Sequence, residues 1–325
     1  MTAYDGFSKD NVAPAGARDI GVYKDGAKVG RIPLGSLRQP NRWRRLYSFG
    51  VISDTHIDQT SKPNANGNFE KAIAFFNKMD DVEFVCCCGD LVGDGDIESH
   101  WITYSNKVSR LEKPIYVLGG NHECFVVNEV PTLVPGYMKT YAGNDAAWHY
   151  KEINGDAFLF LGIYRYMQIE HDDGVTRYYQ RYRKEDILAI QKHLEDNKNK
   201  RCFVFQHVPI IEGFGDYNIF EEHNIGVLPM SVYQHYKNIT VFHGHTHRPF
   251  SDHVRNKDAN VNRNLGFRSV HVPALCDYCQ GYVVDVYEDG IHLRGLNFET
   301  GYIPIASYWI NTQLVDVSEY TYKED

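Results

Sequence analysis

Five apolar runs of strand length in this chain each give way to a short polar segment. The segments are Asp54-Thr55-His56, Gly89-Asp90, Gly119-Gly120-Asn121-His122-Glu123, Gln206-His207 and His243-Gly244-His245-Thr246-His247. The runs before them are Leu46 to Ile52, Val82 to Cys88, Ile115 to Leu118, Cys202 to Gln206 and Ile239 to Phe242, and they read as buried strands. Helical spacing fills the gaps. Phe69, Ala72, Ile73 and Phe76 share one face, with Asn66 and Asn68 available as caps, and Ile97, Trp101, Tyr104, Val108 and Leu111 share another. This βαβαβ alternation implies a mostly parallel sheet with right-handed crossovers. In such a sheet the carboxyl ends of the strands converge on one crevice, so polar segments far apart in sequence can meet there.

The second half continues the α/β theme with more antiparallel character. Phe158 to Ile163 is a further strand, and Ile187, Ile190 and Leu194 lie on one helix face. Ser269 to Val272, Tyr282 to Tyr287 and Ile291 to Leu296 look like closing β-structure. We expect one domain over residues 46–305. Before it, residues 1–45 form a Gly-rich, basic arm ending in Arg42-Trp43-Arg44-Arg45, with a hairpin between Val22 and Ile32 about Asp25-Gly26. Residues 306–325 are expected to be a C-terminal tail.

Charge and cysteine usage narrow the function classes. A formal net charge of −8 repels nucleic acid and anionic membranes, so neither is an expected partner. No stretch reaches the roughly 18 apolar residues of a membrane span. Met1 to Gly16 lacks the apolar core of a secretory signal. Seven cysteines in 325 residues make no disulfide framework. Cys86, Cys87 and Cys88 read as buried reduced thiols, and the lone pair Cys276 and Cys279 as structural. A reducing, cytoplasmic setting is expected, and an exported protein whose signal has been removed fits the sequence too.

The polar segments are rich in metal-competent side chains. Asp54 and His56 are two residues apart, as are His245 and His247, so in extended backbone each pair projects to one side. Gly89, Gly119, Gly120 and Gly244 permit tight turns and close backbone approach. The donor set mixes carboxylate, imidazole and amide, with no cysteine in the five segments. It suits a first-row ion such as Mn, Fe, Zn or Co better than a thiolate site or an all-oxygen cage.

In this order, Asp-x-His, Gly-Asp, Gly-Asn-His-Glu, His and Gly-His-x-His resemble the motifs of the calcineurin-like metallophosphoesterase superfamily. The resemblance runs from Ser53 to His247 and implies a four-layer α/β/β/α sandwich of two mixed sheets. It also implies two metal ions. Asp54, His56, Asp90 and His247 would hold the first; Asp90, Asn121, His207 and His245 would hold the second, with Asp90 bridging. His122 would face the substrate. Glu123, Asp94, Asp96 and His243 are expected to be supporting or loop groups, and His149, His171, His193 and His223 have no partners in the sequence pattern.

The implied reaction is hydrolysis of a phosphate ester by a metal-bridging hydroxide, with Asn121 orienting the phosphate and His122 protonating the leaving oxygen. Purple acid phosphatases place a tyrosine soon after Gly-Asp and typically lack the His of Asp-x-His. Here His56 is present and Asp90 is followed by Leu91-Val92-Gly93-Asp94. The pattern is closer to the cyclic-nucleotide and glycerophosphodiester phosphodiesterase branch, so a small phosphodiester is the expected substrate. A phosphomonoesterase is the alternative, and a non-catalytic binding module on the same fold the alternative of another class. Two inserts could shape specificity: Glu212 to Gly226, aromatic and Gly-rich, and Ser251 to Gly266. Arg248, Arg255 and Arg263 are the candidate phosphate contacts.

Overall fold

Strands that are apolar on both faces need a cover on each side, and the chain supplies it in layers. The computed structural model describes residues 19–24, 27–33, 45–124, 135–144, 148–163, 165–170, 176–181, 184–209, 232–233, 235–250, 261–262, 267–288, 290–303, 306, 308–311 and 321–324. Its first elements are a pair of antiparallel strands, β1 (Asp19–Lys24) and β2 (Ala27–Pro33).

The main sheet starts with β3 (Tyr47–Ile52), β4 (Val82–Cys87) and β5 (Ile115–Val117), parallel neighbours in sequence order. The connections are α1 (Ala65–Asn77) and α2 (Glu98–Val108). Phe69, Ala72, Ile73 and Phe76 of α1 bury against a cluster containing Ile52, Val85 and Cys87, as their spacing demands. Trp101 and Tyr104 of α2 join the same cluster. Ile97, by contrast, is 40 % exposed and stands just before the helix.

Asn66 and Asn68 do not cap α1. The N-cap position is Asn64, with no side-chain cap bond. Asn66 lies inside the first turn and donates to Asp58 Oδ1 at 2.6 Å. Asn68 is buried and donates to the carbonyls of Leu275 and Cys276, each at 3.0 Å. Both amides tie the helix to neighbouring loops instead of satisfying its own end.

After β5 a single turn, α3 (Pro135–Tyr137), runs into a π-helical turn at Met138–Ala142. The second sheet then forms from β6 (Trp148–Ile153) and β7 (Asp156–Leu161). A separate antiparallel pair follows, β8 (Arg165–Glu170) and β9 (Thr176–Arg181), before α4 (Lys184–Asp196). The sheet is completed by β10 (Cys202–Gln206), β11 (Ile239–His243), β12 (Val261–Asn262) and β13 (Arg268–His271), in the order β12-β13-β11-β10-β7-β6. Its four central strands are parallel and its edges antiparallel. Ile187, Ile190 and Leu194 of α4 cover its outer face against Leu159, Leu161, Val204 and Val241.

Three strands return antiparallel to the first sheet: β14 (Gln280–Val286), β15 (Gly290–Asn297) and β16 (Gly301–Tyr302), giving the order β16-β15-β14-β3-β4-β5. β17 (Tyr308–Asn311) pairs with β15, so this sheet continues past residue 305. β18 (Thr321–Glu324) pairs with β1, which joins the two terminal segments in one small sheet.

The two main sheets face each other across a layer of phenylalanines. Phe49 and Phe84 of the first stack at 5.3 Å, and Phe49 meets Phe158 and Phe203 of the second edge-on at 5.4 and 5.2 Å. Phe205 stacks on Phe160 at 4.9 Å and on Phe242 at 5.2 Å. Offset and edge-to-face pairs of this kind add to the burial itself, and they account for part of the 14 % aromatic content. With α1 and α2 outside one sheet and α4 outside the other, the layers are α/β/β/α, as the sequence motifs implied. All seven cysteines are free and buried, and no helix among the described residues is long and apolar enough to cross a membrane.

Candidate metal centre

The loops after β3, β4, β5, β10 and β11 meet at one end of the two sheets, stitched by backbone bonds. Asp54 N–H donates to Gly89 O at 3.0 Å, His56 N–H to Asp90 O at 3.0 Å, and Gly244 N–H to His207 O at 3.0 Å. Asp54, His56, Asp90, His245 and His247 all have positive φ, between 45° and 71°. The alternation expected from extended strands is therefore not what aims Asp54 with His56, or His245 with His247. Left-handed turns do so, each at a cost of about 1–3 kcal/mol that the surroundings must offset.

Two glycines make room for these turns. A Cβ on Gly244 would collide with Ser53 Oγ and Asp54 Oδ2, and one on Gly120 with Asp90 Oδ1 and, at 2.5 Å, its amide nitrogen. Glu123 fixes the floor. Its buried carboxylate accepts the N–H groups of Asp90 (3.0 Å), Leu91 (2.7 Å), Val92 (3.1 Å) and Gly120 (2.7 Å). Burial and the nearby Asp90 charge push its pKa up, and the Gly120 and Val92 N–H groups with His122 oppose them.

Six of the seven predicted ligands fall into two groups whose donor atoms lie within 4.8 Å of one another: Asp54, His56, Asp90 and His247, and Asp90, His207 and His245. Asp90 belongs to both. Its Oδ2 lies 3.4 Å from His56 Nε2 and 3.1 Å from His207 Nε2. Asp54 Oδ1 is 3.3 Å from His247 Nε2 and 3.8 Å from His56 Nε2. The seventh residue, Asn121, brings Oδ1 to 2.9 Å from His207 Nε2. His207 is itself held by its Nδ1, 2.8 Å from the Cys88 carbonyl.

The donor set fits cations. Nε2 of His56 and of His247 are 2.9 Å apart, and His245 Nδ1 is 3.2 Å from His207 Nε2. Paired imidazole nitrogens aimed at each other can share one proton or one cation. Electrostatics point the same way. Burial would strip His207 and His247 of charge, but Asp90 and Asp54 outweigh it at His207, and Asp54 with Cys276 at His247, pushing their pKa values up to about 9 and about 12. Burial likewise raises Asp54 and Asp90, yet the surrounding imidazoles hold both carboxylates below the usual range. His245 is pushed down to about 3 by burial and by His207.

His122 stands beside the first group, its ring 4.5 Å from His56. Its Nδ1 donates to the Gly93 carbonyl at 2.5 Å, an acceptor that fixes a proton there. Arg248 is exposed immediately after His247. Arg255 and Arg263 lie outside the described residues, as does the insert Glu212 to Gly226. His243 is buried beside His271, and burial pushes it down to about 3. Asp94 pairs locally with His100.

The sequence reading missed three residues. Cys276 Sγ lies 3.9 Å from His247 Nδ1 and forms a third group with His56 and His247, so the centre is not free of sulfur. Burial pushes this thiol up to about 11, which keeps it a neutral and weak donor. Asp277 Oδ2 accepts from His247 Nδ1 at 2.6 Å, and Lys62 Nζ bonds both Asp277 oxygens at 2.9 and 2.8 Å. A signal was available: residues 272–278 follow β13, another parallel strand of the same sheet. Their polar groups are set among apolar neighbours, which hid them.

A family model described as calcineurin-like phosphoesterase matches residues 47–249, more than half of the chain. Among solved structures, a purple acid phosphatase from yellow lupin (Lupinus luteus) seeds aligns with TM-score 0.59 and 14 % identity over 82 % of this chain and 53 % of that one. The chain thus spans about half the length of the lupin enzyme. PhoD aligns with TM-score 0.52 and 9 % identity, covering 86 % and 74 %. At these identities the likeness is one of fold. No curated protein sequence matches.

Proposed function

Because this chain belongs to the calcineurin-like phosphoesterase family, we propose that it is a dinuclear metal-dependent hydrolase of a small phosphodiester. The observation that supports this most directly is the sharing of Asp90 between two buried donor groups. Asp54, His56, Asp90 and His247 would hold one ion, and Asp90, Asn121, His207 and His245 the other. First-row ions such as Mn, Fe, Zn or Co would supply Lewis acidity at the phosphate oxygens and at the attacking water.

The remaining work belongs to the chain. Asp90, with two oxygens, offsets positive charge on both sides of the crevice. Asn121 keeps its amide against His207 and orients the phosphate. His122, anchored through Nδ1 at Gly93, delivers a proton from Nε2 to the leaving oxygen. The family pattern favours a diester, since His56 sits in the cluster and no tyrosine occupies positions 91–94.

Turnover of bis(4-nitrophenyl) phosphate against 4-nitrophenyl phosphate by Mn-loaded protein tests the reading. We expect the diester to be preferred and His122→Ala to lower kcat about 10²–10⁴-fold. Preference for the monoester would move the function to a phosphatase with the same residues. Two bound ions without turnover of either ester would favour a binding module.

A further inference from the structure

His247 is the candidate ligand whose outer ring nitrogen meets a carboxylate. Nε2 faces the cluster, 3.3 Å from Asp54 Oδ1, and Nδ1 faces away, 2.6 Å from Asp277 Oδ2. His207 and His122 instead use a backbone carbonyl at Nδ1. Among the described candidate ligands, only His247 has this charged support. A carboxylate behind a ligating imidazole fixes the proton on the outer nitrogen, orients the ring and raises the basicity of the inner one.

Asp277 is in turn registered to the centre by several independent ties. The turn Leu275–Tyr278 hangs from the Asp54 loop: Leu275 N–H donates to Ser53 O at 2.9 Å and Cys276 N–H to Asp54 O at 3.0 Å. Asn68 of α1 bonds the carbonyls of Leu275 and Cys276, and Tyr278 OH donates to His247 O at 3.1 Å. Lys62 Nζ grips both Asp277 oxygens, so Oδ2 accepts from Lys62 and His247 together. The three side chains are each about a quarter exposed, so they sit at the mouth of the crevice.

We propose that Asp277, clamped by Lys62, is a positioning residue that presents His247 Nε2 to the first metal ion. The inference rests on the proposed dinuclear centre and adds an asymmetry to it. One half-site is backed by an ion-paired carboxylate, the other by a neutral carbonyl, so loss of Asp277 should weaken one binding step and spare the other.

Calorimetric titration of metal-free full-length protein with Mn(II) separates these ideas, comparing wild type, Asp277→Asn and Asp277→Ala. We expect Asp277→Ala to weaken one of two steps about 10–100-fold. Asp277→Asn keeps an acceptor for Nδ1–H and should recover part of the loss. Unfolding midpoints of the metal-free proteins report whether the variants fold alike. ¹⁵N-histidine spectra of the Zn-loaded wild type should show rings protonated at Nδ1 and ligated through Nε2, His207 and His247 among them, of which the His247 signal alone moves in Asp277→Ala. Two tight steps unchanged in Asp277→Ala would overturn the positioning role while leaving the centre intact. A wild type that binds no metal would overturn the centre and this role with it.

Discussion

At the scale of single residues, the centre is a set of charges held in check by one another. In the metal-free protein Asp90 and Asp54 push His207 up to about 9, and Asp54 with Cys276 pushes His247 up to about 12, so both imidazoles carry protons at neutral pH. A cation needs their lone pairs, so loading must expel those protons. Calorimetry of Mn(II) binding at pH 7 in buffers of different ionisation enthalpy should therefore show about two protons released per loaded centre. Affinity should fall as pH falls, because protons then compete for the same nitrogens. Buffer-independent enthalpy would show that the imidazoles are already neutral. Asp90→Asn tests the shared carboxylate: it should lower the affinity of both steps, whereas His245→Ala should affect one. The ligand residues were legible because each stands right after an apolar run. Asp277 and Lys62 were not, since 215 residues separate them and only the fold brings them together.

At the scale of elements, the decisive parts are the short left-handed turns after the strands. Gly244 shows why. Its missing Cβ is the space that Ser53 Oγ and Asp54 Oδ2 occupy, at a point where the two sheets' loops touch. Gly244→Ala should displace the Asp54 carboxylate, cost about 1–3 kcal/mol through overpacking, and weaken metal binding at the first half-site. A melting curve together with a metal titration checks both effects; unchanged affinity would mean that Asp54 is not held by this contact. The strands themselves could be read from sequence because β3, β4, β7, β10 and β11 are buried along nearly all their length. β6 was not read, since Trp148–Ile153 is an edge strand with no fully buried residue. The caps assigned to Asn66 and Asn68 failed for a related reason: an amide near a helix start can serve tertiary partners, and sequence spacing does not tell which.

At the scale of the whole molecule, chemistry and stability sit at opposite ends of the same sheet. The Asp54 loop leaves β3 at its carboxyl end, whereas Tyr47 and Ser48 at its start lie beside Val286 and Asp285 of β14. There Asp285 accepts from Ser48 Oγ at 2.7 Å and pairs with Arg294 at 2.8 Å. Burial pushes its carboxyl up, but His292, Arg294 and Ser48 outweigh burial and hold it at about 2, below the ordinary 3.8. As pH falls, the unfolded chain takes up this proton before the folded protein does. The stabilisation, about 2 kcal/mol, is thus fully present above about pH 4 and disappears between about pH 4 and pH 2. Denaturant unfolding of metal-free wild type and Asp285→Asn should then differ at pH 6 and converge by pH 2. Diester turnover per loaded centre at pH 7 should be the same in both, because among the described residues the bonds of this network stay at Arg45, Ser48, His292 and Arg294, away from the ligand loops. A variant that lost turnover while retaining its metal would show that the two ends of the sheet are coupled through β3, and the separation argued from its register would fail.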